Sequence, residues 1–432
     1  MTVSAPGGGS PWWLADVAVP GRDGAFDLRV ADGRITDIRP ATGRPAPGEH
    51  VALTGGTVLP GLVDLHTHLR EPGGEEAETL RTGARAAAAG GFTDVFAMAN
   101  TTPVTDTAER VAELRRRAEG LGVRLHPVGA ATVGLAGRET VDVDALADAG
   151  VTLFSDDGRC VDDDGLVLDL LTGMARRGTA FAQHAQSGAI VRDGVVNAPV
   201  APLLGVPGWP AAGEEAVIGR DLALVAATGG RLHVCHVSTA GSVALVRAAK
   251  AAGLPVTAEV TPHHLVLGDE HAVRHGPAMK VNPPLRAAED IAAVRAALRD
   301  GTIDIVATDH APHPARTKTG SWQSAAFGLT SLETALPVTA EVFTDGRTGT
   351  VDWEAVGAVL SARPAVIGRI DGTAGRPVSV GEPATFCVVR AEHWRAAPDT
   401  WHSRSANSPF HGRDFGHRVV LTALAGRVTH AA

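Results

Sequence analysis

The sequence lacks the features that mark nucleic-acid-binding or disulfide-stabilised proteins. Its formal net charge is -9 at pH 7, so it has no basic excess for contacts to a phosphate backbone, and we expect no nucleic-acid partner. It has 3 cysteines, Cys160, Cys235 and Cys387, which are too scattered for a disulfide framework or a zinc-knuckle spacing. We expect each cysteine to be a small buried hydrophobic side chain.

Long apolar runs are missing as well. No uncharged apolar stretch reaches the length of about 18 residues that a membrane-spanning helix needs, and we expect no membrane partner. The opening residues, MTVSAPGGGSPWW, contain no positively charged region followed by an apolar stretch. These patterns predict a cytoplasmic protein.

Eight short apolar segments alternate with helical stretches through the middle of the chain. They are GLVDLHTH, FTDVFAM, RLHPVGA, VTLFSD, AFAQH, RLHVCHVS, VTAEVTPHH and IDIVATDH. Such alternation predicts a parallel sheet that is buried on both faces, and eight units predict an α/β fold that closes as a TIM-like (β/α)8 barrel. A doubly wound sheet is the alternative, which is disfavoured because no Gly-x-Gly-x-x-Gly turn follows the first strand.

The two ends of the chain predict a second, smaller unit. FDLRV and RITDI, joined at the turn signal Ala31-Asp32-Gly33, precede the barrel, and ATFCVVR and VVLTALAGRVTH follow it. We expect both chain ends to form one small β-sandwich domain. The predicted division is 1–58 for its N-terminal part, 59–370 for the metal-dependent barrel and 371–432 for its C-terminal part.

Residues that commonly bind metals recur at the ends of the predicted barrel strands. They are His66, His68, Asp157, His184, His236 and Asp309. Because the C-terminal ends of barrel strands meet at one mouth, six such residues predict a site for two divalent metal ions that share a bridging carboxylate. Histidines satisfied within the core are the alternative for one or two members of the set, but hardly for all six.

The bridging ligand must be a carboxylate. Many two-metal barrels use a carbamylated lysine, but the first lysine here is Lys250, so none lies on the strands between His66 and His184. Asp157 is the candidate. Asp156 is its competitor, because adjacent strand residues face opposite ways and only one of them can point into the mouth.

Asp309, in TDHAPH at the last strand end, is the candidate catalytic residue. A carboxylate beside the metals can take a proton from the attacking water and deliver a proton to a leaving amide nitrogen. The alternative is that Asp309 only caps a helix or a turn.

Several strings of this sequence closely resemble those of the bacterial dihydroorotases of the long-chain class, in the amidohydrolase superfamily. They are DLHTHLREPGGE, AMANT, FSDDG, AEVTPHHL, VNPPLR, ATDHAPH and SRSANSPF. The resemblance implies two zinc ions, the first held by His66, His68, Asp157 and Asp309. It implies that the second is held by Asp157, His184 and His236. It favours Asp157 over Asp156 as the bridge, and it suggests a homodimer.

The resemblance also implies an activity and a set of substrate-binding residues. The activity is the interconversion of N-carbamoyl-L-aspartate and L-dihydroorotate in pyrimidine biosynthesis. The matching positions are Arg70, Asn100 and His313 for the substrate carboxylate, Asn282 near the ring amide, and Phe327 and Gly328 as backbone contacts in a mobile loop. An arginine fork suits these anionic small molecules, whereas the alternative for Arg70 is a surface salt bridge.

Three departures from the family's pattern bear on the site. Ala99 replaces a common proline in AMANT, which affects only the local turn. Gln186 stands near a position where relatives commonly have an acidic residue, so the orientation of His184 and the metal affinity are expected to change. The 314–326 segment lacks the acidic residues usual before Lys318, which puts closure of this loop over the substrate in doubt.

Other functions compete with this interpretation. A hydantoinase, dihydropyrimidinase or allantoinase is disfavoured, since those relatives generally use the carbamylated lysine. A dihydroorotase-like enzyme for another ureido acid stays open, because Gln186 and the altered loop lie near the site. A non-catalytic homologue that serves as an assembly partner also stays open, although such proteins usually lose metal ligands and every one is present here.

Overall fold

The computed structural model describes residues 10–43 and 49–432, so the first nine of the opening residues considered above lie outside it. In chain order the strands are β1 (Trp12–Ala18), β2 (Ala25–Ala31), β3 (Arg34–Pro40), β4 (Glu49–Pro60), β5 (Leu62–Thr67), β6 (Phe92–Ala97), β7 (Arg124–Pro127), β8 (Leu153–Phe154), β9 (Ala180–Gln183), β10 (Val196–Asn197), β11 (Gly208–Trp209), β12 (Arg231–Val234), β13 (Val256–Val260), β14 (Ile305–Val306), β15 (Phe386–Arg395), β16 (Asp414–Leu424) and β17 (Arg427–Ala431).

The helices lie mainly between the strands of the central part of the chain. They are α1 (Leu80–Ala89), α2 (Ala108–Arg117), α3 (Val143–Asp148), α4 (Asp164–Arg177), α5 (Gly188–Val191), α6 (Ala201–Leu204), α7 (Ala212–Thr228), α8 (Ala240–Ala251), α9 (Pro262–Val266), α10 (Asp269–His275), α11 (Ala288–Asp300), α12 (Ala335–Val342), α13 (Trp353–Gly357) and α14 (Arg363–Ile367). A π-helical turn, Ala358–Ala362, joins the last two.

Eight parallel strands close into a barrel. β5, β6 and β7 form one run, and β8, β9, β12, β13 and β14 form the other. Parallel bridges join the runs at both ends, Gly129 with Phe154 and Thr67 with His310, so the sheet has no free edge. The predicted barrel and its eight strands are confirmed, although VTAEVTPHH ends as a strand at Val260 and its PHH begins α9.

Threonines at the strand-to-helix junctions fix where several helices begin. Thr79, Thr107 and Thr239 precede α1, α2 and α8, and each side-chain oxygen accepts a hydrogen bond from a backbone N–H of the first helical turn. The strands are rich in apolar residues, and every residue of β5 and β6 is buried. Helices outside and side chains within therefore hold the strand ends of the barrel in place.

The two chain ends pair into one small β unit, as predicted, and its strands form a single sheet of seven. Its order is β17-β16-β15-β4-β1-β2-β3, and β4 joins the halves by pairing parallel with β1 and antiparallel with β15. Asp32 and Gly33 form the two-residue turn between β2 and β3, both with positive φ as a type I′ hairpin turn requires. Residues of both ends, including Leu28, Val58 and Phe386, share one core. The domain divisions at residues 58 and 370 stay a prediction.

The predicted burial of the cysteines is confirmed for two of the three. Cys235 and Cys387 are buried, Cys160 is half-buried, and all three are free thiols. In the part of the chain that the structure describes, none of the helices is both long enough and apolar enough to cross a membrane.

Candidate metal centre

The structure brings all six predicted ligands together at the C-terminal mouth of the barrel. They are His66, His68, Asp157, His184, His236 and Asp309, and none is more than 6% exposed. Their candidate ligand atoms fall into two groups that share Asp157, one with His66, His68 and Asp309 and the other with His184 and His236. The pairing of β5 with β6 shifts register between Asp64 and Thr67, and such irregularities re-aim side chains next to active sites.

Asp157 lies between the two groups, with one carboxylate oxygen facing each. Its Oδ2 is 3.3 Å from His66 Nε2 and 3.2 Å from His68 Nε2. Its Oδ1 is 3.1 Å from His184 Nδ1 and 3.4 Å from His236 Nε2. This is the arrangement of donors that a carboxylate shared by two metal ions requires.

Asp156, the competitor for this role, is engaged elsewhere. Its Oδ1 accepts hydrogen bonds from the backbone N–H groups of Ala131 and Thr132, each at 2.9 Å, and its Oδ2 accepts from the Thr132 hydroxyl. The carboxylate therefore fixes the loop after β7 and does not face the histidines.

Asp309 completes the first group. Its Oδ1 lies 3.1 Å from His68 Nε2 and 3.6 Å from His66 Nε2. His66 Nε2 is buried and forms no hydrogen bond among the described residues, although two carboxylates lie within 4 Å of it. A buried ring nitrogen with such neighbours is well suited to bind a cation.

The opposite ring nitrogen of three of the histidines is held by a hydrogen-bond acceptor. His66 Nδ1 donates to Glu259 Oε1 at 2.6 Å, His68 Nδ1 to Asn100 Oδ1 at 3.0 Å, and His184 Nε2 to Gln186 Oε1 at 2.9 Å. Each contact fixes the tautomer that leaves a lone pair facing the shared Asp157. The residues present therefore fit divalent metal ions, both in donor type and in the support behind each donor.

The charges of the site depend on one another. Burial alone would raise the pKa of Asp157, but the neighbouring rings of His66, His184 and His236 hold it well below its ordinary value. Burial would lower the pKa of His66, yet Asp157 and Glu259 raise it well above the ordinary value. Such mutual stabilisation keeps the carboxylates ionised in a site that is closed to bulk water.

Three residues around the site have a backbone conformation that L-amino acids rarely adopt. The φ angles are +62° at Arg70, +33° at His236 and +44° at Asp309. Positive φ at non-glycine residues is held in place only by the surrounding structure, and such residues cluster at functional sites. The geometry of the mouth is thus maintained at a cost in backbone strain.

Glu259 is a site residue that we did not identify from the sequence. It is 1% exposed at the end of β13, and its second oxygen accepts a hydrogen bond from His233 Nε2 at 3.0 Å. Burial would raise its pKa, but His66 and His233 hold it well below the ordinary value. The available signal was a lone acidic residue within the apolar strand string AEVTPHHL.

Gln186 supplies a hydrogen-bond acceptor behind His184, and its expected effect on metal affinity stays a prediction. Its Oε1 accepts from His184 Nε2 and also from Asn282 Nδ2, both at 2.9 Å. An amide oxygen therefore supplies the acceptor for His184. The other terminal atom of the Asn282 side chain, Oδ1, is buried without a hydrogen-bond partner among the described residues.

The predicted carboxylate-binding residues lie on one side of the metal centre. Arg70 Nη2 is 3.3 Å from His313 Nε2, and Arg70 Nε donates to the carbonyl of Pro312 at 3.2 Å. Burial, Arg70 and Lys318 lower the pKa of His313 to about 3, so its ring is neutral at physiological pH.

The side chain of Asn100 forms different contacts from those of Arg70 and His313. Its side-chain oxygen accepts from His68, and its Nδ2 donates to the backbone carbonyl of Asp157 at 3.1 Å. Both ends of the amide thus support candidate metal ligands, which is a task that the sequence did not reveal.

Phe327 and Gly328 close the same side of the mouth. His313 Nε2 donates to the carbonyl of Phe327 at 2.6 Å. Gly328 has φ +134°, and an added Cβ would lie 2.7 Å from the Cβ of Ala311 and 2.9 Å from His313 Nε2. Only glycine fits this close approach of the backbone to the site.

Comparisons with known proteins agree with this geometry. A family model described as "Dihydro-orotase-like" matches residues 55–242. The dihydroorotase of Streptomyces coelicolor is 49% identical, and that of Mycobacterium tuberculosis is 44% identical, each over 93% of this chain and 94% of its own.

Solved structures that resemble the chain include two enzymes with other names. The L-hydantoinase (dihydropyrimidinase) from Arthrobacter aurescens has a TM-score of 0.85 and 26% identity, covering 97% of this chain and 96% of its own. The dihydropyrimidinase from Brevibacillus agri, at 21% identity and a TM-score of 0.83 over 98% of this chain and 95% of its own, shows the fold alone. Because the curated relatives match nearly the whole of both chains at 44–49% identity, this chain belongs to the dihydroorotase family.

Proposed function

We propose that this chain is an enzyme that interconverts N-carbamoyl-L-aspartate and L-dihydroorotate by metal-dependent opening and closing of a cyclic amide. One observation carries the proposal. The two oxygens of Asp157 face two separate groups of ligands, and a cationic arginine, Arg70, lies beside them. The names of the curated relatives support the same reaction.

The proposed cofactors are two divalent ions, with zinc as the metal. Imidazole nitrogens and carboxylate oxygens are common zinc ligands. When bound here, such ions polarise the scissile carbonyl and make water a stronger nucleophile near neutral pH. His66, His68, Asp157 and Asp309 would hold one ion, and Asp157, His184 and His236 the other.

Asp309 is the proposed acid and base. In the ring-opening direction its carboxylate takes a proton from water as the oxygen attacks the ring carbonyl. The same proton then passes to the amide nitrogen as the carbon–nitrogen bond breaks, which gives carbamoyl aspartate. Ring closure is the reverse of these steps. His68 and His66 lower the pKa of Asp309 despite burial, so its carboxylate is ionised and can accept a proton.

The proposed substrate contacts follow from charge and hydrogen bonding. Arg70 would bind the carboxylate that does not react, with the neutral ring of His313 next to it. The unpaired Oδ1 of Asn282 is an acceptor for a substrate N–H. The backbone of Phe327 and Gly328 would close the remaining side. We further propose a homodimer and a cytoplasmic location, for which the family resemblance is the support.

The test is turnover of dihydroorotate and of carbamoyl aspartate by the purified protein, with and without a chelator. We expect turnover that the chelator abolishes and added zinc restores, with two metal ions per chain by elemental analysis. A matched pair of variants adds specificity, because Asp157→Asn should lose metal and activity while Asp156→Asn should retain the metal.

Two results would favour the competing functions. Faster turnover of a different ureido acid than of carbamoyl aspartate would indicate a related enzyme with another substrate. A protein that is folded, metal-free and inactive on every ureido acid would indicate a non-catalytic assembly partner.

A further inference from the structure

Lys280 is a buried lysine whose ammonium group binds the backbone of a distant segment. It precedes the string VNPPLR and is 3% exposed. Its Nζ donates to the carbonyl oxygens of Trp322 at 2.6 Å and Ala325 at 2.8 Å, and lies 3.4 Å from that of Gln323. Residues 313–328 are here called the mouth loop. Its backbone therefore curves around the ammonium group of Lys280, which has three N–H donors.

The backbone of Lys280 holds the same loop at its end. Its carbonyl oxygen accepts from the N–H of Gly328 at 3.1 Å and from Lys318 Nζ at 2.7 Å. Lys318 Nζ also donates to the carbonyl of Ala326 at 2.9 Å. The Nζ of Lys280 lies 4.1 Å from the ring centroid of Phe327, within the range of a cation–π contact.

The ammonium groups of Lys280 and Lys318 donate hydrogen bonds to backbone carbonyl oxygens and not to carboxylates. Neither Lys280 nor Lys318 forms an ion pair within residues 10–43 and 49–432. Burial lowers the pKa of both, and burial together with Lys280 lowers that of Lys318 to about 7. Converging backbone carbonyls are thus what makes burial of the charge tolerable, and the loop must keep this conformation to supply them.

The outer side of the mouth loop is held by weaker interactions. Arg316 forms an ion pair with Glu76, but both side chains are largely exposed, and exposed pairs contribute little to stability. The buried ammonium of Lys280 is therefore the strongest candidate for keeping the loop closed.

We propose that Lys280 is a positioning residue, which holds the mouth loop through its ammonium group and so presents the backbone of Phe327 and Gly328 to the substrate. This inference rests on the proposed function, because those two residues are its assumed substrate contacts. Lys280 touches no substrate itself. It acts through the loop, whose Phe327 carbonyl is also bound by His313, the neighbour of Arg70.

The experiment compares Lys280→Met with wild type and with Lys250→Met. Lys250 is a matched control, because its Nζ also donates to a carbonyl, that of Gly301, and to the Asp304 carboxylate, away from the mouth loop. We expect Lys280→Met to raise the KM for dihydroorotate about tenfold while kcat changes less than about threefold. Hydrogen exchange of the amides in 319–328 should quicken in this variant alone.

Each outcome supports or overturns the inference. Unchanged KM and unchanged exchange in Lys280→Met overturn it, and so does a higher KM without faster loop exchange, because the effect would then not act through the loop. If Lys280→Met does not fold, Lys280→Gln takes its place with the same two readouts. If wild type turns over neither substrate, the proposed function fails, while the exchange comparison still tests whether Lys280 holds the loop.

Discussion

Replacing Glu259 by glutamine tests whether the metal centre depends on support from behind its ligands. The carboxylate accepts hydrogen bonds from His66 Nδ1 at 2.6 Å and His233 Nε2 at 3.0 Å. Glutamine has the same shape, but only one of its two terminal atoms can accept a hydrogen bond. One of the two histidines must then change its tautomer or lose its partner.

The size of the effect follows from these contacts. Removing the acceptor behind a metal-binding histidine costs about 10- to 100-fold in metal affinity or activity, which corresponds to about 1.4–2.8 kcal/mol. A buried polar group left without a partner costs a further 1–3 kcal/mol of stability, roughly. We therefore expect Glu259→Gln to bind metal 10- to 100-fold more weakly, approximately, and to unfold more easily.

The assay is a zinc titration against a competing chelator, with kcat/KM measured at limiting and at saturating metal. Activity should recover largely at saturating metal, because the six ligands remain. Asp94→Asn is the control, since Asp94 is equally buried in the barrel and holds His126 Nε2 at 2.9 Å but touches none of the six. An affinity for zinc within about twofold of wild type in Glu259→Gln, or an equal loss in Asp94→Asn, would refute the reasoning.

Three further predictions follow from the same structure. Asp309→Asn should lower kcat by about 10²- to 10⁴-fold, the usual loss for a general base, while elemental analysis still finds bound metal. Arg70→Met should raise the KM for dihydroorotate about 10- to 100-fold in steady-state kinetics without changing metal content. Asp94 has a lowered pKa, because His126 and Arg124 outweigh the effect of burial, so its stabilising contribution is present above pH about 4 and is lost below it. The difference in unfolding free energy between wild type and Asp94→Asn, measured by denaturant titration, should therefore shrink as the pH falls below that value.

The barrel and the convergence of the six candidate ligands could be predicted because local sequence controls both. Buried parallel strands must be short and apolar, so a histidine or aspartate at the end of such a run stands out, as His184 does after AFAQ and Asp309 after IVAT. The ends of parallel strands converge in space, which turns six separate observations into one site. The choice between Asp157 and Asp156 needed the structure or the resemblance, because the loop that follows β8 is not a regular strand.

Most of the supporting contacts could not be predicted because they join residues that are remote in sequence. Glu259 lies 193 positions from His66, and Asn282 lies 96 positions from Gln186. A lone acidic residue in an apolar strand is the only local signal that Glu259 offers, and it does not distinguish a residue that supports a ligand from a structural acid. The short strands β10 and β11 were missed for a related reason, since two residues each leave no periodic pattern to detect.

Substrate choice within this fold must come from the site, because the hydantoinase of Arthrobacter aurescens shares the barrel at a TM-score of 0.85. Arg70 is partly withdrawn from water, and burial lowers its pKa even though Asp309 and Asp157 oppose the shift. A substrate ring without a carboxylate would give the guanidinium of Arg70 no new partner and would withdraw it further from water. A substrate carboxylate would supply the missing partner in a bidentate contact, so the same residue favours an anionic ring and penalises a neutral one.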